Sequence, residues 1–216
     1  MVSETEGNDP FYRRAVENFY RETRRRHAKM PLVRRLRYGV AMCALPGTFD
    51  EYMGIIEASG RRNVKKAKRL GYRFEVIDFN AHLDDIAAIR TSTTVRQGRV
   101  SDELLSGRVE PCRNPPSRSR IHDYVYFGVL KERRLVAYAQ CFIVGEACLL
   151  EHILGHYELL SDGIVPLLVT GIAHHCLGTY PQVKYYVYGT FFGATPTLRR
   201  FKKKFAFLPH TVKWKS

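Results

Sequence analysis

No run of apolar residues in this chain reaches the roughly 18–20 that a membrane-spanning helix needs. The longest, Ile164–Leu177, is broken by Pro166, Thr170, His174 and His175, which argues against a helical span. The start, Met1 to Asp9, is acidic and polar rather than basic and then apolar, so no secretory leader is expected. The five cysteines (Cys43, Cys112, Cys141, Cys148 and Cys176) include no Cys-x-x-Cys pair. An odd number in this pattern argues against a disulfide frame or a zinc site and for reduced, buried thiols. His174 and His175 are adjacent rather than four apart, so they are not the paired imidazoles of a zinc helix, and no metal is expected. No repeat at solenoid periods occurs. These absences place the expected location in the cytoplasm.

Acidic residues are scarce too: 21 Asp and Glu stand against 35 Lys and Arg, for a formal net charge of +14. The excess is clustered, with 24 of the 35 basic residues in the segments 13–37, 61–73 and 199–215. Clusters of this kind attract polyanions such as RNA, phosphorylated cofactors or anionic membranes. A length of 216 residues with 45% hydrophobic content is enough for a packed domain with an extension, or for two small domains.

Asp9-Pro10 reads as a helix cap with proline in the first turn, and Phe11, Ala15 and Phe19 recur at four-residue spacing toward a basic end near Met30. Residues 36–45 read as a strand, and a helix capped by Thr48 or Asp50 runs through Glu57. Residues 61–70 read as a basic helix closed by Gly71. From residue 73 onward the pattern is β-α-β-β-β-α-β-α-β. A strand at 73–78 leads to a helix carrying Leu83, Ile86, Ala87 and Ile89. The segment 98–120, rich in Gly, Pro, Ser and Arg, reads as a mobile loop or lid. Strands at 124–130, 135–144 and 147–154 follow, then a long helix ending at Leu177-Gly178. The chain closes with a strand at 185–190, a short basic helix presenting Leu198, Phe201 and Phe205 on one side, and a strand at 211–215.

This order resembles the GNAT acyltransferase superfamily, and its details are similar to the Fem-type branch, whose members transfer amino acids from aminoacyl-tRNA to an amine. The segment from Arg61 through Lys65, Lys66 and Ala67 to Gly71 resembles the Arg-x-x-x-Lys-Lys-Ala-x-x-x-Gly segment of that branch. Leu198, Phe201, Lys202, Phe205, Ala206 and Phe207 resemble its Leu-x-x-Phe-Lys-x-x-Phe-Gly-Phe ending, with Ala206 where glycine is usual. The resemblance covers roughly residues 59–216. It implies a mixed, mostly antiparallel sheet flanked by helices, with residues 1–58 as an N-terminal basic helical extension packed on one GNAT-like domain.

The resemblance departs from the branch in two ways. Fem-type ligases have two GNAT-like halves, and this chain has room for one. Acetyl-CoA-dependent members resemble one another in an Arg/Gln-x-x-Gly-x-Gly/Ala loop that aims backbone N–H groups at a pyrophosphate. Here the matching stretch, His156 to Ile164, has one late glycine, Gly163, and carboxylates at Glu158 and Asp162. A donor such as aminoacyl-tRNA is therefore favoured over acyl-CoA, with no tightly bound cofactor.

Amide formation needs a neutral amine, a polarised donor carbonyl and a proton for the leaving group. By the resemblance, Glu151 and His152 lie where the reactive centre would be. Adjacent strand residues point to opposite faces, so only one reaches the site unless a bulge intervenes. Glu151 is the expected base, with a salt bridge to a nearby Arg as its structural alternative; His152 or His156 serves instead, or is a hydrogen-bonded structural histidine. Tyr186, Tyr188 and Thr190 alternate onto one strand face, where one tyrosine, assigned as Tyr188, is expected to protonate the leaving group and packing in the sheet is the alternative. Ser92, Arg96 and Gln97 form either a substrate grip or a polar helix end closed by Gly98. Asp162 either caps the long helix, the favoured reading, or holds a substrate ammonium. Arg61, Lys65, Arg199, Lys202 and Lys203 are expected on donor phosphates or RNA, or on solvated helix faces. The expected function is transfer of an aminoacyl group to a small amine or peptide. An acyl-CoA-dependent N-acyltransferase and a non-catalytic RNA-binding module are the alternatives.

Overall fold

The computed structural model describes residues 9–24, 26, 39–95, 101–117 and 119–213. Helix α1 (Pro10–Arg24) starts on a proline, whose missing N–H costs little in a first turn, and turns Tyr12 and Val16 inward. Strand β1 (Val40–Ala44) precedes α2 (Phe49–Ile55). Thr48 and Glu51 cap α2 reciprocally: Thr48 Oγ1 accepts from the Glu51 N–H at 3.3 Å, and the Glu51 carboxylate accepts from the Thr48 N–H at 2.9 Å. Helix α3 (Ala58–Arg69) carries the basic run, buries Val64 and Ala67, and gives way to Gly71 at φ 87°.

Strand β2 (Tyr72–Val76), a 3-10 turn at Phe79–His82, and helices α4 (Leu83–Thr91) and α5 (Asp102–Leu105) come next. A meander follows of β3 (His122–Lys131), β4 (Arg134–Val144) and β5 (Ala147–Gly155). A second 3-10 turn, Tyr157–Asp162, leads into α6 (Ile164–Thr179), β6 (Tyr185–Thr190), α7 (Pro196–Lys204) and β7 (Leu208–His210). The seven strands form one sheet in the order β2-β3-β4-β5-β6-β1-β7. Only the β5–β6 pair is parallel.

One face of the sheet packs against α2, α3 and α6, with Phe127, Ala139, Cys141, Leu150 and Ile172 in a single buried cluster. The other face has two smaller clusters. Tyr12 and Val16 of α1 cover Val40, Val144, Leu149 and Val187, and Ile86 and Ile89 of α4 cover Tyr126 and Tyr138. Four of the five cysteines are buried thiols, and Cys112 is half-buried.

The expected mixed, mostly antiparallel sheet flanked by helices is present, but three expectations need correction. The division at residue 58 cuts through the packing, because β1 sits inside the sheet between β6 and β7, and Tyr52 and Ile56 are in the main core. The closing strand falls at Leu208–His210, where it pairs with β1, rather than at 211–215. Asp162 does not cap α6. Gly163 occupies that position at φ 86°, in a left-handed conformation that favours glycine, with no side-chain cap.

Within the segment expected as a lid, Cys112 exchanges backbone hydrogen bonds of 2.9 Å with the Asn80 side chain, and Asn114 donates to the Tyr124 carbonyl at 3.0 Å. The far end of the first helix near Met30, the strand positions 36–38 and Trp214-Lys215 lie outside the described residues. Among the described residues no helix is long and apolar enough to cross a membrane, and no group of His, Cys, Asp and Glu is arranged to hold a metal.

Candidate active site

Strands β5 and β6 run side by side only through Ala147–Tyr185, Cys148–Tyr186 and Leu149–Val187. Beyond that point β6 keeps its pairing with β1, reaching Val40–Thr190, and β5 keeps its pairing with β4. The parallel strands therefore part, and a cavity opens beside the gap on each face of the sheet.

At the same place β5 carries a bulge. Leu150 pairs with Cys141 and His152 pairs with Gln140, which leaves Glu151 as an extra residue without a partner on β4. In a regular strand Glu151 and His152 would face opposite ways. The bulge puts both on the face covered by α1 and α4. Glu151 shares a cavity wall with Leu149 and Phe142. His152 lies under α4, where burial and the charge of Arg90 lower its pKa and keep it neutral. Arg90 itself donates to the Tyr138 hydroxyl at 3.1 Å.

The cavity at Glu151 has a volume of about 280 Å³, and its walls include Asn18 and Phe19 of α1, Phe142, Leu149 and Thr190. Glu151 stays open to this space, yet the surrounding protein strips enough water from its carboxyl to raise its pKa above the ordinary glutamate range. Among the described residues no ion pair engages it, so the salt-bridge alternative does not apply there.

The cavity on the opposite face has a volume of about 400 Å³. Asn63 of α3, Val165 and Pro166 of α6, Tyr188 of β6, and Leu198 and Phe201 of α7 contribute to its walls. Tyr188 thus lies across the sheet from Glu151. Burial raises its phenol pKa, so it holds its proton throughout the neutral range. The N-terminus of α6 faces this cavity, but Pro166 removes one of the N–H groups a pyrophosphate would use.

The other expected site residues have defined settings. Ser92 is a tether: its hydroxyl donates to the Ile89 carbonyl at 2.8 Å and accepts the Tyr157 N–H at 3.0 Å. Asp162 accepts the Tyr72 hydroxyl at 2.8 Å and sits 3.4 Å from Lys66 Nζ. Arg61 closes the end of α2 by donating to the carbonyls of Met53 and Ile56. Lys65 is exposed on α3, and Lys203 is exposed on α7 above the Phe191 ring. Arg199 lines a shallow surface groove beside Lys203. Arg96 and Gln97 lie outside the described residues.

Lys202 requires correction as a phosphate grip. It is 3% exposed and turned under β6, donating to the carbonyls of Tyr188 at 2.7 Å and Thr190 at 2.8 Å. Its Nζ lies 4.4 Å from the Tyr188 ring centroid, and burial pulls its pKa down to about 8. It holds the end of β6 on the far side of the gap from Glu151.

Sequence reasoning missed the walls. Asn18 and Phe19 belong to a helix whose apolar spacing was readable, but spacing does not say which face of a sheet a helix will cover. Asn63 was hidden in a basic run, and Leu198 and Phe201 read only as packing.

Among the solved structures that resemble this fold are two that cover most of the chain. FemX superposes with a TM-score of 0.55 at 11% identity, over 80% of this chain and 59% of its own. The C-terminal domain (DUF2156) assigned to a lysylphosphatidylglycerol synthetase from Agrobacterium fabrum gives a TM-score of 0.52 at 16% identity, over 77% of this chain and 55% of its own. The chain thus spans little more than half the length of either. No family model matches the sequence, and no curated protein does. At these identities the likeness shows the fold: a GNAT-like sheet with a Fem-type structure among its neighbours.

Proposed function

We propose that this chain transfers an aminoacyl group from aminoacyl-tRNA to an amine, forming an amide. The observation that carries the reading is the pair of cavities reaching the gap between β5 and β6 from opposite faces, with Glu151 in one and Tyr188 in the other. Two reactants entering from opposite sides can meet in the gap without competing for the same space.

The donor is assigned to the larger cavity. Its walls come partly from α3 and α7, the two helices that carry the basic stretches 61–73 and 199–215, so a polyanionic donor is drawn toward its mouth. The apolar lining and Pro166 at the start of α6 suit an aminoacyl ester better than a pyrophosphate. One structural neighbour bears the name of a synthetase of an amino acid–lipid conjugate, which agrees with an aminoacyl cargo.

The acceptor is assigned to the smaller cavity. Glu151, directly or through a water, takes a proton from the acceptor ammonium and passes it to solvent; the neutral nitrogen then attacks the ester carbonyl and sheds its second proton by the same route. The C–N bond forms as the C–O bond to the ribose breaks. The departing oxygen receives a proton from the Tyr188 side, and that phenol is replenished from solvent.

The test is turnover. Purified protein is incubated with tRNA charged with labelled amino acids and a panel of amines, and amide products are sought by mass spectrometry. Products that vanish after ribonuclease treatment support the reading. Tight acetyl-CoA binding without tRNA binding overturns it in favour of an acyl-CoA enzyme. RNA binding that Glu151→Ala leaves intact, with no turnover from any donor, reduces the chain to an RNA-binding module.

A further inference from the structure

We infer that α1 is the acceptor-selecting wall of the smaller cavity, and that the acceptor is a small primary amine with an apolar aromatic or aliphatic body rather than a peptide. This rests on the assignment of that cavity to the acceptor.

Size comes first. A volume of about 280 Å³ lies just below the usual range for small-molecule sites, so a small body fits the space and a longer chain would have to extend out of its open side. The chemistry of the walls follows. Phe19 and Phe142 supply aromatic surface and Leu149 aliphatic surface, while among the described residues Glu151 is the one titratable group lining the space. An anionic group among apolar walls selects a cation with an apolar body: the ammonium pairs with the carboxylate, and the body displaces water from the rings. A peptide backbone would bring several N–H and C=O groups into a space with few polar partners, and each unpaired group there carries a desolvation cost. Among the described residues the polar side chains beside Glu151 in the lining are Asn18, whose Oδ1 already accepts from Arg21, and Thr190.

The third observation is that α1 is fastened at several points. Tyr12 and Val16 are buried against the sheet. Phe11 makes edge contacts with Tyr124 and Phe142, at ring-centroid distances of 5.7 and 5.3 Å. Asp9, at the start of the helix, is buried against His122 of β3. Phe19 is therefore carried on a seated element, one helical turn beyond Ala15 on the same face, and its position sets how long a body fits above Glu151.

The test is direct binding to the full chain without donor, so that it does not depend on turnover. The probes are 2-phenylethylamine, its uncharged counterpart 2-phenylethanol, and the dipeptide Gly-Phe, each followed by calorimetry and by thermal shift. The amine should bind at least tenfold more tightly than either of the others. Glu151→Gln should remove most of that preference for charge, and Phe19→Ala should weaken amine binding about tenfold. Phe19→Trp, which fills space and keeps the helix face apolar, should shift the preference from 2-phenylethylamine to isobutylamine.

Equal binding of the alcohol, tighter binding of the dipeptide, or amine binding that neither Phe19 variant alters would overturn the inference, as would no amine binding at millimolar concentration. The outcomes separate from those of the transferase reading. Amine binding with the expected Phe19 effects but no turnover leaves a small-amine site walled by α1 standing and sinks both the reaction and the acceptor role. Turnover with peptide acceptors and no amine binding does the reverse.

Discussion

Asp9 and His122 lie 113 residues apart in sequence and meet inside the protein, with Oδ2 3.0 Å from Nδ1 and both side chains almost wholly buried. Ser117 donates to the same carboxylate oxygen at 2.8 Å, and the Tyr12 ring stacks on the imidazole at 4.7 Å. This contact fastens the start of α1 to β3. Asp9→Ala leaves the His122 ring without its buried acceptor and should cost about 1–3 kcal/mol, read from denaturant midpoints. The loss should be concentrated in α1: amide exchange at residues 12–20 should accelerate more than at β3 or β4. Uniform acceleration throughout would show that the pair supports the whole fold rather than the helix.

Glu151→Gln should lower turnover roughly 10²–10⁴-fold if the carboxylate is the base. In the wild type the rate should fall as acid protonates Glu151, at a midpoint above the ordinary glutamate range, because desolvation raises this pKa. The stability effect has the opposite sense. A carboxyl that binds its proton more tightly when folded destabilises the fold as pH rises past the unfolded value toward the folded one. The glutamine variant should therefore be no less stable than wild type at neutral pH while being nearly inactive.

Lys202 gives a stability signature at alkaline pH. Folded, it loses its proton at about 8 rather than at the ordinary 10.5, because burial penalises the charge. Between those values the unfolded chain binds more protons, so this residue adds stability as pH rises, at up to about 1.4 kcal/mol per pH unit. The stability of wild type minus that of Lys202→Met should therefore grow between pH 8 and 9.5. A flat difference would mean that the ammonium keeps its proton in the fold. The same variant releases the carbonyls of Tyr188 and Thr190 and should reduce any turnover by loosening the end of β6.

Gly163 and Gly178 make a matched pair. A Cβ on Gly163 would stand 2.4 Å from the Asn63 carbonyl oxygen, in a residue already at φ +86°. Gly163→Ala should cost more than about 2 kcal/mol, because the α3 backbone cannot move aside as a flexible side chain can. A Cβ on Gly178 meets nothing within 4 Å, so Gly178→Ala should be neutral or stabilising by up to about 1 kcal/mol. Thermal unfolding of the two variants reads the contrast.

The order of strands and helices after residue 73 was legible because each strand carries its own apolar run and turn signals, and the resemblance in segments 61–71 and 198–207 tied that order to a known fold. What was not legible depended on contacts between distant segments. Val40–Ala44 reads as a strand, but nothing in those residues says that they enter between β6 and β7 instead of lying on an edge. Lys202 sits in a run of like charges, and only its place against the end of β6 makes it the one that is buried. The facing of Glu151 and His152 turned on a bulge, which is a property of the β4–β5 pairing and not of either residue. The cavity at Glu151 was the least legible part, because α1 and β5, which build it, lie far apart in sequence.

That bulge makes Glu151 a supernumerary residue. Deleting it alone would leave Leu150 opposite Cys141 and His152 opposite Gln140, the regular alternation of an unbroken ladder. The chain could thus lose its proposed base without disturbing a single cross-strand partnership. In evolutionary terms, scaffold and chemistry are separable here by one codon: a single in-frame loss would turn an enzyme of this form into an inert protein of the same shape.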